Sequence, residues 1–332
     1  MTKLDYLEYL VRVYLLRQGT LGMGRSWRDP AIVDDQFLND PSGDGIYPID
    51  FSRDDVPDLL TDGCGIPMID YANLGIHYNP WFVGHIALGR YTKWKRSQVG
   101  QYKDSFIKLA NWFLEHATLH DGGTYWFYYF KWFHHQPPWF SALSQAHAIS
   151  VLIRASCITG DARYAEMAEG ATRTMIAPLG KGGTASNEAD GSVCFQESII
   201  LPPTYILNGH LFSCIAAYEA SQFFGYSDFI SAAEQGIMFV QKNIRKFDLG
   251  YWSRYSMKNV KSFPDIASPH YHDVHIAQLN VMYVITQDQL LLEMSRRFRN
   301  YQNSYIYVKR ALWLKRFVKV LAYHNIKSEK LL

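Results

Sequence analysis

Cysteine is scarce in this 332-residue chain. Cys64, Cys157, Cys194 and Cys214 stand too far apart for a CxxC metal site or a dense disulfide framework. No apolar run approaches the length of a membrane span. The N-terminal MTKLDYLEYLVRVYLLRQGT carries Asp5 and Glu8 inside its apolar stretch, which argues against a signal peptide. A reducing cytoplasm is the expected home. A net charge of +2 gives no electrostatic footprint for nucleic acid. There is no GxSxG nucleophile elbow, and GKGG at Gly180 lacks the preceding strand and the Ser/Thr of a phosphate loop. Convincing calcium loops are absent as well.

Aromatic residues are abundant, at 15% of the chain with 23 tyrosines and 9 tryptophans. Ring faces suit the apolar faces of sugars, and they suit helix packing equally well. The second abundance is local. From Arg296 onward the chain is rich in Lys and Arg; Lys309, Arg310, Lys315, Arg316 and Lys319 interleave with Leu312, Trp313, Leu314, Phe317, Val318 and Leu321. That pattern predicts a basic amphipathic helix over 301–332. It would either close the domain or make peripheral contact with an anionic membrane surface.

A repeat runs through the histidines. VGHIALGRY, QAHAISVLI, NGHLFSCIA and DVHIAQLNV centre on His85, His147, His210 and His275, at intervals of 62, 63 and 65 residues. Each is followed, after a polar break such as Gly160-Asp161 or Gly225-Tyr226, by a second, more charged helical stretch. Four helical hairpins are therefore predicted, with apolar inner helices and amphipathic outer ones. Closed on themselves they give an α/α toroid, an incomplete α/α barrel; an open solenoid is the alternative. The fold class is mainly α. Residues 1–80 are expected to form an N-terminal helix and an extended, β-containing arm, and residues 81–300 the barrel. The irregular segments 180–206 and 247–271 both precede inner helices, so both should reach the same rim.

That rim collects Glu197, Tyr251, Arg254, Tyr255, His270, Tyr271, His272 and Asp273. His272 and His275 are three apart, but HExxH-type spacing and a third ligand are missing. Asp273 suits an N-cap, which would make His275 a packed inner-helix residue. No metal is expected. A carboxylate, tyrosines and an arginine instead suit proton abstraction next to a carboxylate. The α-hydrogen of a uronate becomes removable once a cation or donor neutralises the carboxylate charge. Arg254 offers a two-pronged contact for that purpose, and a tyrosine can act as the acid–base group.

The segments PWFSALSQAHAISVLIRASCITGD from Pro138, ESIILPPTYILNGHLFSCIAAYE from Glu197, GYWSRYS from Gly250 and HYHDVHIAQL from His270 resemble the D-glucuronyl C5-epimerases. Members convert glucuronate to iduronate within heparan-type or heparosan polymers. The resemblance runs from about residue 62 to 300, entering through DGCGIPMIDYANLGIHYNPWFVGHIALGRY. It implies an isomerase that acts on an acidic, heparosan-like polysaccharide without cofactor, and a homodimer. Carried over residue by residue, it places Glu197, Tyr251 and Tyr271 in catalysis and Arg254 on the substrate carboxylate. Tyr78, Asn79, Trp139, Gln145, His147, Asn208, His210 and His272 are candidates for substrate binding. One departure stands beside Glu197: animal members follow that Glu with a tyrosine, and here it is Ser198, so a third tyrosine would have to come from Tyr205 or Tyr78. A shorter, bacterial-type form without a membrane anchor is expected. A uronate lyase on the same fold, which would expel the C4 substituent after proton abstraction, and a non-catalytic acidic-glycan binder are the rival functions.

Overall fold

A computed structural model describes residues 45–328 apart from 57, 72, 73, 133, 134 and 261, with side-chain surroundings described through residue 318. The helix expected at the N-terminus lies outside the described residues. Four hairpins follow one another: α1 (Pro80–Ser97) with α2 (Gly100–Glu115), α3 (Ala142–Thr159) with α4 (Ala162–Ile176), α5 (Leu207–Phe224) with α6 (Ser227–Asn243), and α7 (Pro269–Thr286) with α8 (Gln289–Asn303). A ninth described helix, α9 (Tyr305–Ser328), ends the chain's described part. The inner helices α1, α3, α5 and α7 pack against each other in sequence order, and each outer helix packs on its own partner. The protein is mainly helical, an α/α toroid of four hairpins.

All four hairpins turn in the same way. The inner helix ends on one left-handed residue and the next residue caps the outer helix, at Gln98-Val99, Gly160-Asp161, Gly225-Tyr226 and Gln287-Asp288. Glycine takes the left-handed position without a Cβ penalty at Gly160 (φ +71°) and Gly225 (φ +68°). At Asp161 and Asp288 the carboxylate accepts a backbone N–H of the outer helix's first turn. This two-residue hinge leaves no slack, so each hairpin is antiparallel and close-packed.

Burial follows the role of each helix. In α3 every residue from Ala142 to Ala155 is buried, since it is enclosed by neighbours on all sides. In α4 burial is confined to one face, with Tyr164, Ala168, Ala171, Thr172 and Met175 at helical spacing. The segments between hairpins each fold into a two-stranded antiparallel ribbon at one rim. These are β3 (Thr118–His120) with β4 (Gly123–Tyr125), β5 (Ala185–Asn187) with β6 (Val193–Phe195), and β7 (Arg254–Val260) with β8 (Phe263–Ile266). Ahead of α1 a smaller ribbon pairs β1 (Ile69–Asp70) with β2 (Ile76–His77).

One boundary differs from expectation. α7 begins at Pro269, with Ser268 as its N-cap accepting the Tyr271 N–H, four to five residues ahead of the expected start near Asp273. Proline at the first helical position lacks only an N–H that would be an orphan anyway, so Ser-Pro is the stronger start signal. Asp273 is instead buried inside the helix and accepts hydrogen bonds from Arg299 and Gln302 of α8.

At the other side of the core, Arg154 of α3 and Glu219 of α5 form a buried ion pair, 2.7 Å apart and 1% and 2% exposed. Ser150 donates to the second carboxylate oxygen, and Arg154 also donates to the Gly45 carbonyl while lying over the rings of Tyr47 and Tyr91. Removing one partner strands the other charge in the core. Arg154→Met should therefore lower the unfolding free energy by about 3–5 kcal/mol, and the double variant with Glu219→Leu should recover much of that loss in urea titrations.

Candidate active site

Glu197 stands two residues beyond β6, and its position is fixed from both sides. Upstream, the Phe195 N–H donates to His210 Nδ1 on α5 (3.1 Å), whose Nε2–H then donates to the Gly236 carbonyl (3.1 Å). At the carboxyl itself, Asn208 Nδ2 donates to Oε2 (3.2 Å) and the Tyr255 hydroxyl donates to Oε1 (3.2 Å). The side chain rests directly on the first turn of α5 at Gly209, where an added Cβ would come within 2.6 Å of the Glu197 Cβ. Only a residue without a Cβ permits that contact.

Glu197 is half-buried. Burial raises its pKa to about 7, against a smaller lowering by the Tyr255 and Asn208 hydrogen bonds. Such a group is poised to give and take a proton near neutrality. Tyr255 is held well above the ordinary tyrosine range, first by burial and then by the Glu197 charge, so it is a neutral donor. Its ring lies 4.8 Å from that of Tyr271, centroid to centroid. The three side chains of Glu197, Tyr255 and Tyr271 are all half-buried, in contrast to the sealed histidines around them.

Tyr255 reaches this place through an irregularity. The register between β7 and β8 shifts between Arg254 and Asn259, and Tyr255 sits in the shifted stretch. A bulge bends its strand and re-aims the side chains it carries. The same strand is tied to the Glu197 loop by the Ile206–Ser256 bridge and by Met257 N–H bonds to the Thr204 and Tyr205 carbonyls.

The other residues singled out from the sequence fall into three groups. Tyr251 is 6% exposed and lies under the Arg310 guanidinium of α9, 4.1 Å from its ring centre; Tyr255 rather than Tyr251 contacts Glu197. Arg254 donates to the carbonyls of Ser256 (3.1 Å) and Met257 (2.9 Å) and to Asn259 Oδ1 (2.8 Å), so its fork is taken up by its own hairpin. Tyr78 donates to Asp62 (2.6 Å), which raises its pKa to about 12, and Asn79 caps α1. Tyr205 stacks on Phe239. Ser198 lies 2.8 Å from His135 Nε2.

The second group is buried and has no surface to offer a sugar. Gln145, His147, Asn208, His210 and His272 are each at most 1% exposed. Gln145, Asn208, His210 and His272 hold rim segments to inner helices instead, while His147 bonds only the Leu143 carbonyl of its own helix. Gln145 bonds the Thr124 carbonyl and the Trp126 N–H, and His272 Nδ1 accepts the Ser253 N–H while its Nε2–H donates to the Phe298 carbonyl. The Ser253 hydroxyl lies 2.7 Å from His272 Nδ1 and 2.9 Å from His275 Nδ1. Both nitrogens of His272 and Nδ1 of His275 are thus engaged. No three His, Cys, Asp or Glu side chains among the described residues are placed to hold a metal.

The third group is an aromatic stack. Trp139 stacks on Tyr128 at 3.9 Å and on His135 at 4.7 Å, and it remains half-exposed. Tyr128 itself is raised well above the usual tyrosine range, first by burial, with a minor contribution from the Glu197 charge. A hollow of about 750 Å³ lined by Gly250, Arg296, Tyr301 and Tyr307 takes in none of Glu197, Tyr255 or Tyr271. Chemistry rather than volume locates the site.

Residues 120–300 match the family described as D-glucuronyl C5-epimerase C-terminus, a span that includes Glu197, Tyr255 and Tyr271. The chain belongs to this family. It is 29% identical over 179 residues to the D-glucuronyl C5-epimerase of Caenorhabditis elegans, covering 50% of this chain and 29% of that protein. It is 26% identical over 164 residues to an uncharacterised protein of Methanocaldococcus jannaschii, covering 48% of this chain and 52% of that one. The matched stretches thus span about half or less of these relatives. Among solved structures, a D-mannose isomerase superposes with a TM-score of 0.48 at 10% identity, covering 90% and 85% of the two chains. An α-mannanase of Bacteroides thetaiotaomicron gives 0.41 at 14% identity, covering 66% and 55%.

Two predictions follow from the packing around Glu197. Gly209→Ala should displace the carboxylate and lower activity at least a hundredfold while the helical circular dichroism is retained. The second concerns acid stability. Burial lowers the pKa of His147 and His272 to about 3 and of His210 to about 4. The unfolded chain protonates these near pH 6.5 but the folded protein does not, so their stabilisation is complete above pH 6.5 and is lost as pH falls toward 4. Each histidine should remove about 1.4 kcal/mol per pH unit in that window. Glu197 acts in the opposite sense between pH 7 and 4.5, one carboxyl against three imidazoles. Urea midpoints should therefore fall from pH 7 to 5.

Proposed function

We propose that this protein inverts C5 of D-glucuronyl residues in an acidic, heparosan-like polysaccharide. The observation that carries this is the Glu197 carboxyl, pushed up to about 7 by burial and joined by hydrogen bond to a tyrosine that itself packs on a second tyrosine. In this reading the Glu197 carboxylate removes the C5 proton and the electron pair is delocalised onto the substrate carboxylate. Tyr271 returns a proton to the opposite face from its hydroxyl. Tyr255, which stays neutral, holds Glu197 in place and stands between the two.

The substrate carboxylate must be neutralised for the intermediate to form. Arg254 is turned onto its own hairpin, so the reading assigns this task to Lys315 of α9. Its ammonium donates to the Ile266 carbonyl and lies 5.9 Å from the Tyr255 ring centre. Trp139, half-exposed and backed by the buried Tyr128, would stack a neighbouring sugar.

The test is incubation with heparosan in deuterated water, with C5 exchange followed by NMR. Exchange and iduronate signals are expected from the parent protein, and both should fall at least a thousandfold in Glu197→Gln and Tyr271→Phe. Tyr255→Phe should fall further than Tyr251→Phe. The exchange rate should rise with pH through about 7, because the carboxylate form is the base, and Glu197→Gln should lack that limb. An ultraviolet-absorbing unsaturated product would assign the protein to the lyases. Glycan binding without any exchange would make it a binder.

A further inference from the structure

Helix α9 has two unlike faces. Val308, Ala311 and Val318 are buried against the domain, while Arg310 and Phe317, exposed themselves, reach over to Tyr251 and to Phe263 of β8 (5.5 Å between ring centres). The opposite face carries Ile306, 73% exposed, and Trp313, 68% exposed. Seven residues apart, they share one side of the helix. Lys309 and Arg316 are exposed beside them, Lys309 over the Tyr305 ring and Arg316 over the Trp313 ring. From Tyr305 to Ser328 the basic residues are Lys309, Arg310, Lys315, Arg316, Lys319 and Lys327, and there is no Asp or Glu. No helix among the described residues is long and apolar enough to cross a bilayer.

We propose that this outward face of α9 docks the protein on an anionic phospholipid surface. The chemistry separates this partner from others. An acidic glycan would use the cations and could stack on Trp313, but neither it nor an acidic peptide is drawn to the exposed Ile306 beside them. A bilayer interface uses both: the cations meet anionic headgroups, and the apolar pair enters the headgroup–acyl boundary where tryptophan is favoured. The helix is anchored to the domain through its other face, so it lies along the surface rather than across it. Because Lys315 and Arg310 on the same helix reach Ile266 and Tyr251, docking would hold the Glu197 rim close to the membrane plane. The inference does not depend on the proposed activity.

The test is co-sedimentation of the full chain with vesicles of phosphatidylcholine alone and of phosphatidylcholine with about a third phosphatidylglycerol. Binding is expected only with the anionic vesicles and should weaken as salt is raised. Lys309→Glu with Arg316→Glu should weaken it at least tenfold, and Trp313→Ser about tenfold, with thermal melting unchanged in both. Trp313→Ser should also lose the fluorescence blue shift seen on vesicle addition. Absence of binding to the anionic vesicles would overturn the proposal. So would variants that bind like the parent, which would move the contact to another part of the chain. Retention of a soluble acidic polysaccharide by the same cations, without vesicle binding, would assign the face to glycan instead.

Discussion

The site depends on one constraint: polar groups buried on the inner helices need partners, and His210 and His272 find theirs in the rim segments that carry Glu197 and Tyr255. An imidazole sealed from water costs free energy unless its nitrogens are satisfied. His210 meets this by accepting the Phe195 N–H and donating to Gly236, and His272 by accepting the Ser253 N–H and donating to Phe298. His85 pairs with Asp54 of the N-terminal arm at 2.9 Å. Each satisfied histidine pins an otherwise irregular stretch of backbone to the toroid. Phe195 lies two residues before Glu197, and Ser253 two before Tyr255. The architecture of the core thereby sets the positions of the reactive groups.

The site's chemistry is a consequence of the same burial. A carboxyl seated on the first turn of α5 loses solvation and its pKa rises. Gly209 makes the seat possible, and Asn208 and Tyr255 supply donors that keep the carboxylate form accessible. The neighbouring histidines lose their protons for the same reason, since burial disfavours either sign of charge. Neutral donors around one titrating acid are the result.

Helix α9 joins the site to the outside. Lys315, half-buried, comes near Tyr255, and Arg310, itself exposed, reaches over the Tyr251 ring, while Lys309 and Arg316 face solvent. Sequence alone shows them as one cluster. The division follows from helical spacing: Lys315 lies on the side of Val308, Ala311 and Val318, which packs on the domain, whereas Lys309 and Arg316 fall on the side of the exposed Trp313.

The sequence by itself determined the hairpins. The His85, His147, His210 and His275 repeat, the breaks at Gly160-Asp161 and Gly225-Tyr226, and the apolar inner stretches are local signals of period 3.6, and local signals survive without tertiary context. Glu197 and Tyr271 were legible through the motifs around them. The start of α7 was misread because Asp273 and Ser268 are both good caps, and proline at 269 decides between them. What only the tertiary structure decided is which tyrosine of GYWSRYS meets Glu197, and which cation stands near it. A bulge in β7 turns Tyr255 toward the carboxyl, Arg310 from a helix more than fifty residues later covers Tyr251, and backbone carbonyls of its own hairpin take Arg254. These are long-range contacts between residues whose spacing in the chain carries no periodic signal.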